Sequence, residues 1–439
     1  MDLIDFNDNN CLVSKKDLAI IFEKLKNEII NIKDSLDHEY EDKYGSINLP
    51  NDYDMVKKIK NLIEIKKKLN PKYIIVIGIG GSNLGTLAIQ EALLGKYYNL
   101  KDSNIKIFYA DTVDSDQLND IIDIIEPALK KGEKILINCI SKSGGTTETI
   151  SNFEIFIDII KKYIKEYKKY IIVTTDEDSK FWRFAKEKGF DVLGIPKNVG
   201  GRYSIFSSVS LFPLGLIGLN IDKILEGALA MRDICLSLDI DKNIASRSAC
   251  YIYKYYKMGF NIHDLFLFSP DFESIGKWYR QLIGESIGKE YSKDNKQIFC
   301  GITPTVSIGS TDLHSMAQLY LGGPYDKFTT FIKINKNKST LKLPNFDEYS
   351  TLVNNIQQKK ISEIMDAIFY GTKKSYKKGK RPFLEIVFPD KYESSIGQFL
   401  QYKMIEIMYL GFLLNVNPFD QPNVEDYKNE TKSVLEKNI

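Results

Sequence analysis

Residues 73–85 read Tyr-Ile-Ile-Val-Ile-Gly-Ile-Gly-Gly-Ser-Asn-Leu-Gly, an unbroken apolar, largely β-branched run that stops on glycines and a serine. A strand apolar on both faces belongs inside a parallel sheet covered by helices on each side; a half-exposed antiparallel strand would alternate. Similar runs recur at residues 105–109, 135–140 and 170–174, each separated by enough chain for a crossover helix. A second series lies at 265–268, 297–302, 329–334 and 384–388. Two doubly wound α/β subdomains with parallel sheets are the economical arrangement.

On either side of these series the pattern turns helical. Ile20, Ile21, Leu25, Ile29 and Ile32 keep helical spacing among many charges, which predicts an N-terminal helical arm. Ile396, Phe399, Leu400, Met404, Ile407 and Met408 predict a C-terminal helix that packs back on the body. The chain is thus divided into an arm (1–70), two subdomains (71–225 and 226–392) and a helical tail (393–439).

Its 439 residues are too many for one ordinary core. Sixty basic against 58 acidic side chains leave a formal charge of +2, which argues against a dedicated nucleic-acid or membrane-surface protein. The basic stretch KKSYKKGKR at 373–381 is read as a solvated loop ahead of a strand. The run 203–221 is nearly uncharged, but it contains Pro213 and four serines and reads as buried core; no transmembrane helix is expected. Five scattered cysteines without a CxxC pair predict reduced thiols, and the acidic N-terminus lacks the apolar core of a signal peptide, so a cytoplasmic location is expected. No HxH, HExxH or acidic cluster has metal-ligand spacing, so neither a metal nor another cofactor is expected.

Ligands of open parallel sheets bind beyond the carboxyl ends of strands, which directs attention to two turns. The first, residues 78–85, lets the backbone approach an anion closely and leads into helix N–H groups. It is neither a P-loop nor a full dinucleotide fingerprint: Asn83 stands where the third glycine would be, and the nearest strand-end acid is the distant Asp111. The second, Ser-Lys-Ser-Gly-Gly-Thr-Thr-Glu-Thr at 141–149, sets many hydroxyl donors and one lysine at a helix start. That suits a phosphate monoester and equally suits an elaborate N-cap. Two such turns in one sheet favour a bound phosphate.

Further segments extend the pattern: Asn-Val-Gly-Gly-Arg-Tyr-Ser at 198–204, Gly-Glu-Ser-Ile-Gly-Lys at 284–289, Ser-Thr-Asp-Leu-His-Ser-Met at 310–316 and Phe-Asp-Gln-Pro-Asn-Val-Glu-Asp-Tyr-Lys at 419–428. With the two turns they fall in one order, and in that order the chain resembles the glucose-6-phosphate isomerase family. The resemblance implies two sugar-isomerase domains, each an α/β/α sandwich. It implies reversible conversion of glucose 6-phosphate into fructose 6-phosphate by ring opening and proton transfer through an enediol. It places Gly81, Ser82, Ser141, Lys142, Ser143 and Thr146 around the substrate, with Gln421 lining the sugar site. Glu285 would be the base, Arg202 the stabiliser of the enediolate, and His314 the ring-opening group assisted by Lys428. In this family the histidine comes from a neighbouring subunit, so a homodimer is implied.

Composition alone would leave Glu285 as a helix-surface glutamate, Arg202 in an ordinary ion pair, and His38 and His263 as structural histidines. Where the family has a glycine in the C-terminal motif this chain has Asn423, which is expected to keep a left-handed turn. An isomerase that also accepts mannose 6-phosphate is an alternative, as is a non-catalytic sugar-phosphate sensor. The sensor would have no reason to hold Glu285, Arg202, His314 and Lys428 together. A nicotinamide-dependent dehydrogenase is disfavoured by Asn83.

Overall fold

The computed structural model describes residues 2–437; Met1 of the predicted arm and residues 438–439 of the predicted tail lie outside the described residues. Twelve strands occur among them: β1 (Asp5–Asn7), β2 (Pro71–Ile77), β3 (Lys106–Ala110), β4 (Lys134–Ile140), β5 (Ile171–Asp176), β6 (Asp191–Ile195), β7 (Ile262–Leu267), β8 (Lys289–Tyr291), β9 (Gln297–Cys300), β10 (Thr303–Ile308), β11 (Lys327–Lys336) and β12 (Phe383–Asp390). The first sheet is wholly parallel in the order β3-β2-β4-β5-β6. The second has the order β1-β12-β11-β7-β10. Both sheets are flanked by helices, the α/β architecture expected from the apolar runs, and Ile74 to Ile77 are fully buried.

Several expectations are corrected. The run 297–302 does not enter the parallel sheet: β9 pairs with β8 in a separate antiparallel hairpin, and the second sheet takes β10 in its place. Val306 and Ile308 alternate with the polar Thr305 and Ser307, a pattern less conspicuous than the apolar runs. The arm is not purely helical, because β1 adds an antiparallel edge to β12 ahead of the helices Lys15–Asp34 and Tyr53–Lys67. The basic stretch 373–381 is no loop for most of its length; it closes the helix Ile361–Lys378, where Lys373 pairs with the buried Glu385 of β12. The subdomain boundary read near residue 225 falls within the helix Ile221–Cys235.

The greatest departure concerns the tail. The helix Glu393–Leu413 is buried on almost every side, so it forms a central pillar of the molecule. Its Lys403 and Glu406 form a fully buried ion pair at 2.8 Å. Tyr279 donates to Glu406 Oε1 at 2.8 Å and lies 3.2 Å from His263 Nδ1, while His263 Nε2 meets Thr330 Oγ1 at 2.9 Å. Burial pushes the His263 ring below its usual range, in keeping with the structural role read for it. This network ties the pillar to the helix Glu273–Ile287 and to the second sheet. Removing Lys403 or Glu406 alone would strand the buried charge of the other, at a cost of about 3–5 kcal/mol.

The run 203–221 supplies the buried helix Ser208–Leu216. No helix among the described residues is long and apolar enough to cross a membrane. All five cysteines are buried and unpaired.

Candidate active site

In the first sheet the strand order reverses between β2 and β4, so the turns that follow these two strands flank one crevice. After β2 comes the tight turn Gly80–Ser82, then the helix Leu84–Leu94. A Cβ placed on Gly81 would lie 2.3 Å from the carbonyl carbon of Gly201 and 2.7 Å from the Arg202 nitrogen. Only glycine lets this turn rest on the backbone that presents Arg202. Asn83, in the place of a third dinucleotide glycine, is buried and donates to Asp111 at 3.1 Å.

The turn after β4 separates the two readings of its hydroxyls. Thr146 occupies the N-cap position of the helix Thr147–Tyr163, yet its side chain makes no capping bond. Its Oγ1 instead lies 3.2 Å from Ser141 Oγ, which also accepts from the Gly144 amide at 3.1 Å. The hydroxyls therefore converge on the turn, and the side-chain cap that the N-cap reading requires is not made. Ser143 and Gly145 are exposed at its rim. Lys142 behaves differently from its neighbours: its ammonium reaches away to donate to the carbonyls of Lys197 and Val199 at 2.6 and 2.8 Å. It is a strut between this turn and the Arg202 loop, and burial holds its pKa below the usual lysine value. At the end of β5, Asp176 is pushed up to about 6 by burial, with Lys142 and Lys197 opposing the shift.

Arg202 organises the other half of the crevice. Its Nη1 donates to Glu285 Oε2 at 3.1 Å and to Gln421 Oε1 at 2.7 Å, and its Nε to Ser286 Oγ at 2.8 Å. Nη2 donates to the carbonyls of Pro418 at 2.6 Å and Asp420 at 3.0 Å. The guanidinium side chain is 2 % exposed and the Glu285 side chain 34 %, so a buried fixed cation holds a carboxylate that is open to a ligand. Lysine could not replace this fork of donors. Lys289 reinforces it, donating to the carbonyls of Glu285 and Asp420, each at 2.6 Å; burial and then the Arg202 charge depress its pKa.

Gln281 was not singled out in the sequence. It lies one helical turn before Glu285 and donates to Glu285 Oε1 at 2.9 Å, so each oxygen of the carboxylate is held by a different donor. Its own Oε1 is buried without a partner among the described residues. The i, i+4 spacing on a helix was the available signal.

The structure brings Gly81, Arg202, Glu285 and Gln421 together, with Ser82 and the 141–149 turn beside them. It does not bring His314 or Lys428 to the cluster. Lys428, on the helix Val424–Glu436, pairs with Glu425 at 2.7 Å on the same helix. His314 is exposed on the short helix Thr311–Ser315, beyond the carboxyl end of β10. Glu285 lies near the C-terminus of the helix Glu273–Ile287, which follows β7 and so returns toward the amino ends of the strands. His314 and Glu285 of one chain thus stand at opposite ends of a 15-residue helix, about 20 Å in length. Asn423 is not left-handed, having φ −68° and ψ −14°; it starts the last helix, and its amide donates to Glu290 at 3.0 Å. Among the described residues no group of three or more His, Cys, Asp or Glu is placed to hold a metal ion.

Comparison with known proteins identifies the family of the chain. The family model described as phosphoglucose isomerase matches residues 64–438. A glucose-6-phosphate isomerase of Carboxydothermus hydrogenoformans is 33% identical over 86% of this chain and 81% of its own. One from Clostridium tetani is 32% identical over 99% of this chain and 96% of its own. Among solved structures, a hypothetical protein from Thermus thermophilus superposes with a TM-score of 0.86 at 24% identity, over 99% of this chain and 100% of that one. A glucose-6-phosphate isomerase from Chlamydia trachomatis does so with 0.83 at 19% identity, over 99% and 88%. At those identities the two structures speak to the fold alone.

Proposed function

The chain belongs to the phosphoglucose isomerase family, and from that membership we propose that it interconverts glucose 6-phosphate and fructose 6-phosphate. The observation that carries the proposal is the Glu285 carboxylate, open to the crevice while Arg202 and Gln281 hold its two oxygens. A base whose carboxylate is fixed in this way can take a proton from one sugar carbon and return it to the next.

In this reading the 141–149 turn and Ser82 hold the phosphate, and the sugar extends toward Glu285. The carboxylate removes the C2 proton of the open-chain aldose. Negative charge then develops on the enediolate oxygens beside Arg202, which is already in place and needs no reorganisation. Glu285 returns the proton to C1 while the hydroxyl proton of O2 passes to O1, which gives the ketose. Gln421, tethered to Arg202, borders the sugar.

Ring opening requires a group that gives and accepts a proton near neutrality. We assign this step to His314 of a second copy, because the helix that separates it from Glu285 of its own chain is too long for one chain to close the site. The active form is then a homodimer. Lys428 would have to leave Glu425 and move inward to assist at the ring oxygen.

The test is conversion of fructose 6-phosphate to glucose 6-phosphate, coupled to NADP reduction. Wild type should turn over, and Glu285→Gln should fold normally while kcat drops about 10³-fold. A folded wild-type chain with no turnover would overturn the reaction, and a fully active E285Q would overturn the base.

A further inference from the structure

A cavity of about 620 Å³ lies behind the 141–149 turn, between the helices Thr147–Tyr163 and Lys180–Lys188. It is separate from the crevice, and the proposed reaction makes no use of it. Its volume falls within the range of small-molecule sites. Phe153, Phe181, Phe184, Phe190 and Tyr167 form its walls, with edge-to-face ring pairs at 5.6 Å (Phe153–Phe181) and 6.2 Å (Phe153–Phe190). Such a set of rings is a preformed surface for a flat aromatic guest.

Its rim is charged. Lys161 and Lys188 stand over the rings of Tyr167 and Phe184 at 5.2 and 5.5 Å, and Lys180 lies at the mouth. Of the two carboxylates that border it, Asp158 is already paired with Lys162 at 2.7 Å. Lys188 has a looser pair with Glu187 at 3.7 Å. Lys161 and Lys180 therefore face Glu154 with one positive charge to spare, so the cavity is complementary to an aromatic monoanion.

One wall touches the turn. A Cβ on Gly144 would lie 2.4 Å from the Phe181 Cβ, so the Gly144 backbone rests directly on that residue. The Gly144 amide in turn donates to Ser141 Oγ. A guest that displaces Phe181 must shift the hydroxyl that lines the turn.

We propose that this cavity is an effector site for a planar aryl carboxylate or sulfonate, and that its occupancy changes the affinity of the 141–149 turn for phosphate through the Phe181–Gly144 contact. Binding to the cavity stands independently; the coupling rests on the reading of the turn as a phosphate site. Linkage requires the coupling to be reciprocal.

The probe is 1-anilinonaphthalene-8-sulfonate, titrated into the folded full-length chain with and without inorganic phosphate. Saturable binding at one site is expected. Phosphate should shift the probe affinity several-fold to a plateau, the probe should shift the phosphate affinity by the same factor, and the KM for fructose 6-phosphate should move in the same direction. Phe184→Asp, at a half-exposed ring, should keep its turnover yet weaken the probe about tenfold and abolish the KM shift. The double variant Lys161→Glu with Lys180→Glu, which leaves the aromatic wall intact, should weaken it comparably, and decides the matter if F184D fails to fold. Wild-type probe affinity in these variants would overturn the site, as would complete competitive displacement by phosphate, since the probe would then occupy the sugar crevice. A chain that binds the probe with the plateau but does not turn over fructose 6-phosphate would leave the effector site standing and remove the isomerase reading. Binding without a plateau or a KM shift would overturn the coupling.

Discussion

The 141–149 turn and the Arg202 cluster border the same crevice and are joined by the Lys142 strut, but they are built by opposite means. The turn takes its hydroxyls and amides from nine successive residues, with Ser143 and Gly145 exposed at its rim. The cluster gathers Arg202, Glu285 and Gln421, residues separated by more than eighty positions in the chain at each step, around a guanidinium that is almost fully buried. A site made from one local segment can lose a hydroxyl and keep its shape. One built on a buried cation cannot lose that cation without leaving carbonyls and carboxylate unpaired.

The largest expected effect follows from this contrast. Arg202→Met should abolish measurable turnover, a loss of at least about 10³-fold, and should destabilise the fold by about 3–5 kcal/mol, read by urea unfolding. Arg202→Lys keeps the charge but not the fork of donors to five partners, so it should recover only a small part of both losses. Recovery of near-normal activity in R202K would mean that charge alone matters, and the contrast between the two halves would break.

A smaller effect is expected at the turn. Ser141→Ala combined with Thr146→Val should raise the KM for fructose 6-phosphate about tenfold, leave kcat within a few-fold, and leave the unfolding midpoint almost unchanged. A collapse of stability in this pair would show that the hydroxyls are structural after all.

The smallest effect sharpens the electrostatics of the turn. Asp176, pushed up to about 6 by burial, carries its charge above that pH and sheds it below. Its negative charge opposes a bound anion, so inhibition by sulfate, which does not itself titrate in this range, should strengthen about threefold as pH falls from 7.5 to 5.5. In Asp176→Asn that pH dependence should largely disappear. A sulfate affinity that weakens on acidification would place the carboxylate elsewhere in the balance of charges.

Legibility follows the same division. The strand at 71–77 and the two turns could be read because burial on both faces and close backbone approach leave local signatures, namely a β-branched run and a glycine cluster. Glu285 and Arg202 carried no such mark beyond the family motif, since a glutamate on a helix and an arginine after two glycines look ordinary until packing joins them. Gln281 was missed although its spacing from Glu285 was visible, because spacing does not say which face of a helix meets the turn. The strand β10 was missed and 297–302 misplaced because amphipathic and hairpin strands differ little over so few residues. The pillar helix was read as a tail because position near the end of a chain says nothing about depth.

By itself the sequence determined the α/β class, the first parallel sheet with most of the second and, through its motifs, the family. Those are properties of short segments, where periodicity and composition express burial directly. The tertiary structure decided that Arg202 would be buried with five partners, that Lys142 would brace a neighbouring loop instead of turning into its own, and that His314 would stand a helix length from Glu285. Each of these depends on which distant segments meet, and that is settled by the packing of the whole chain.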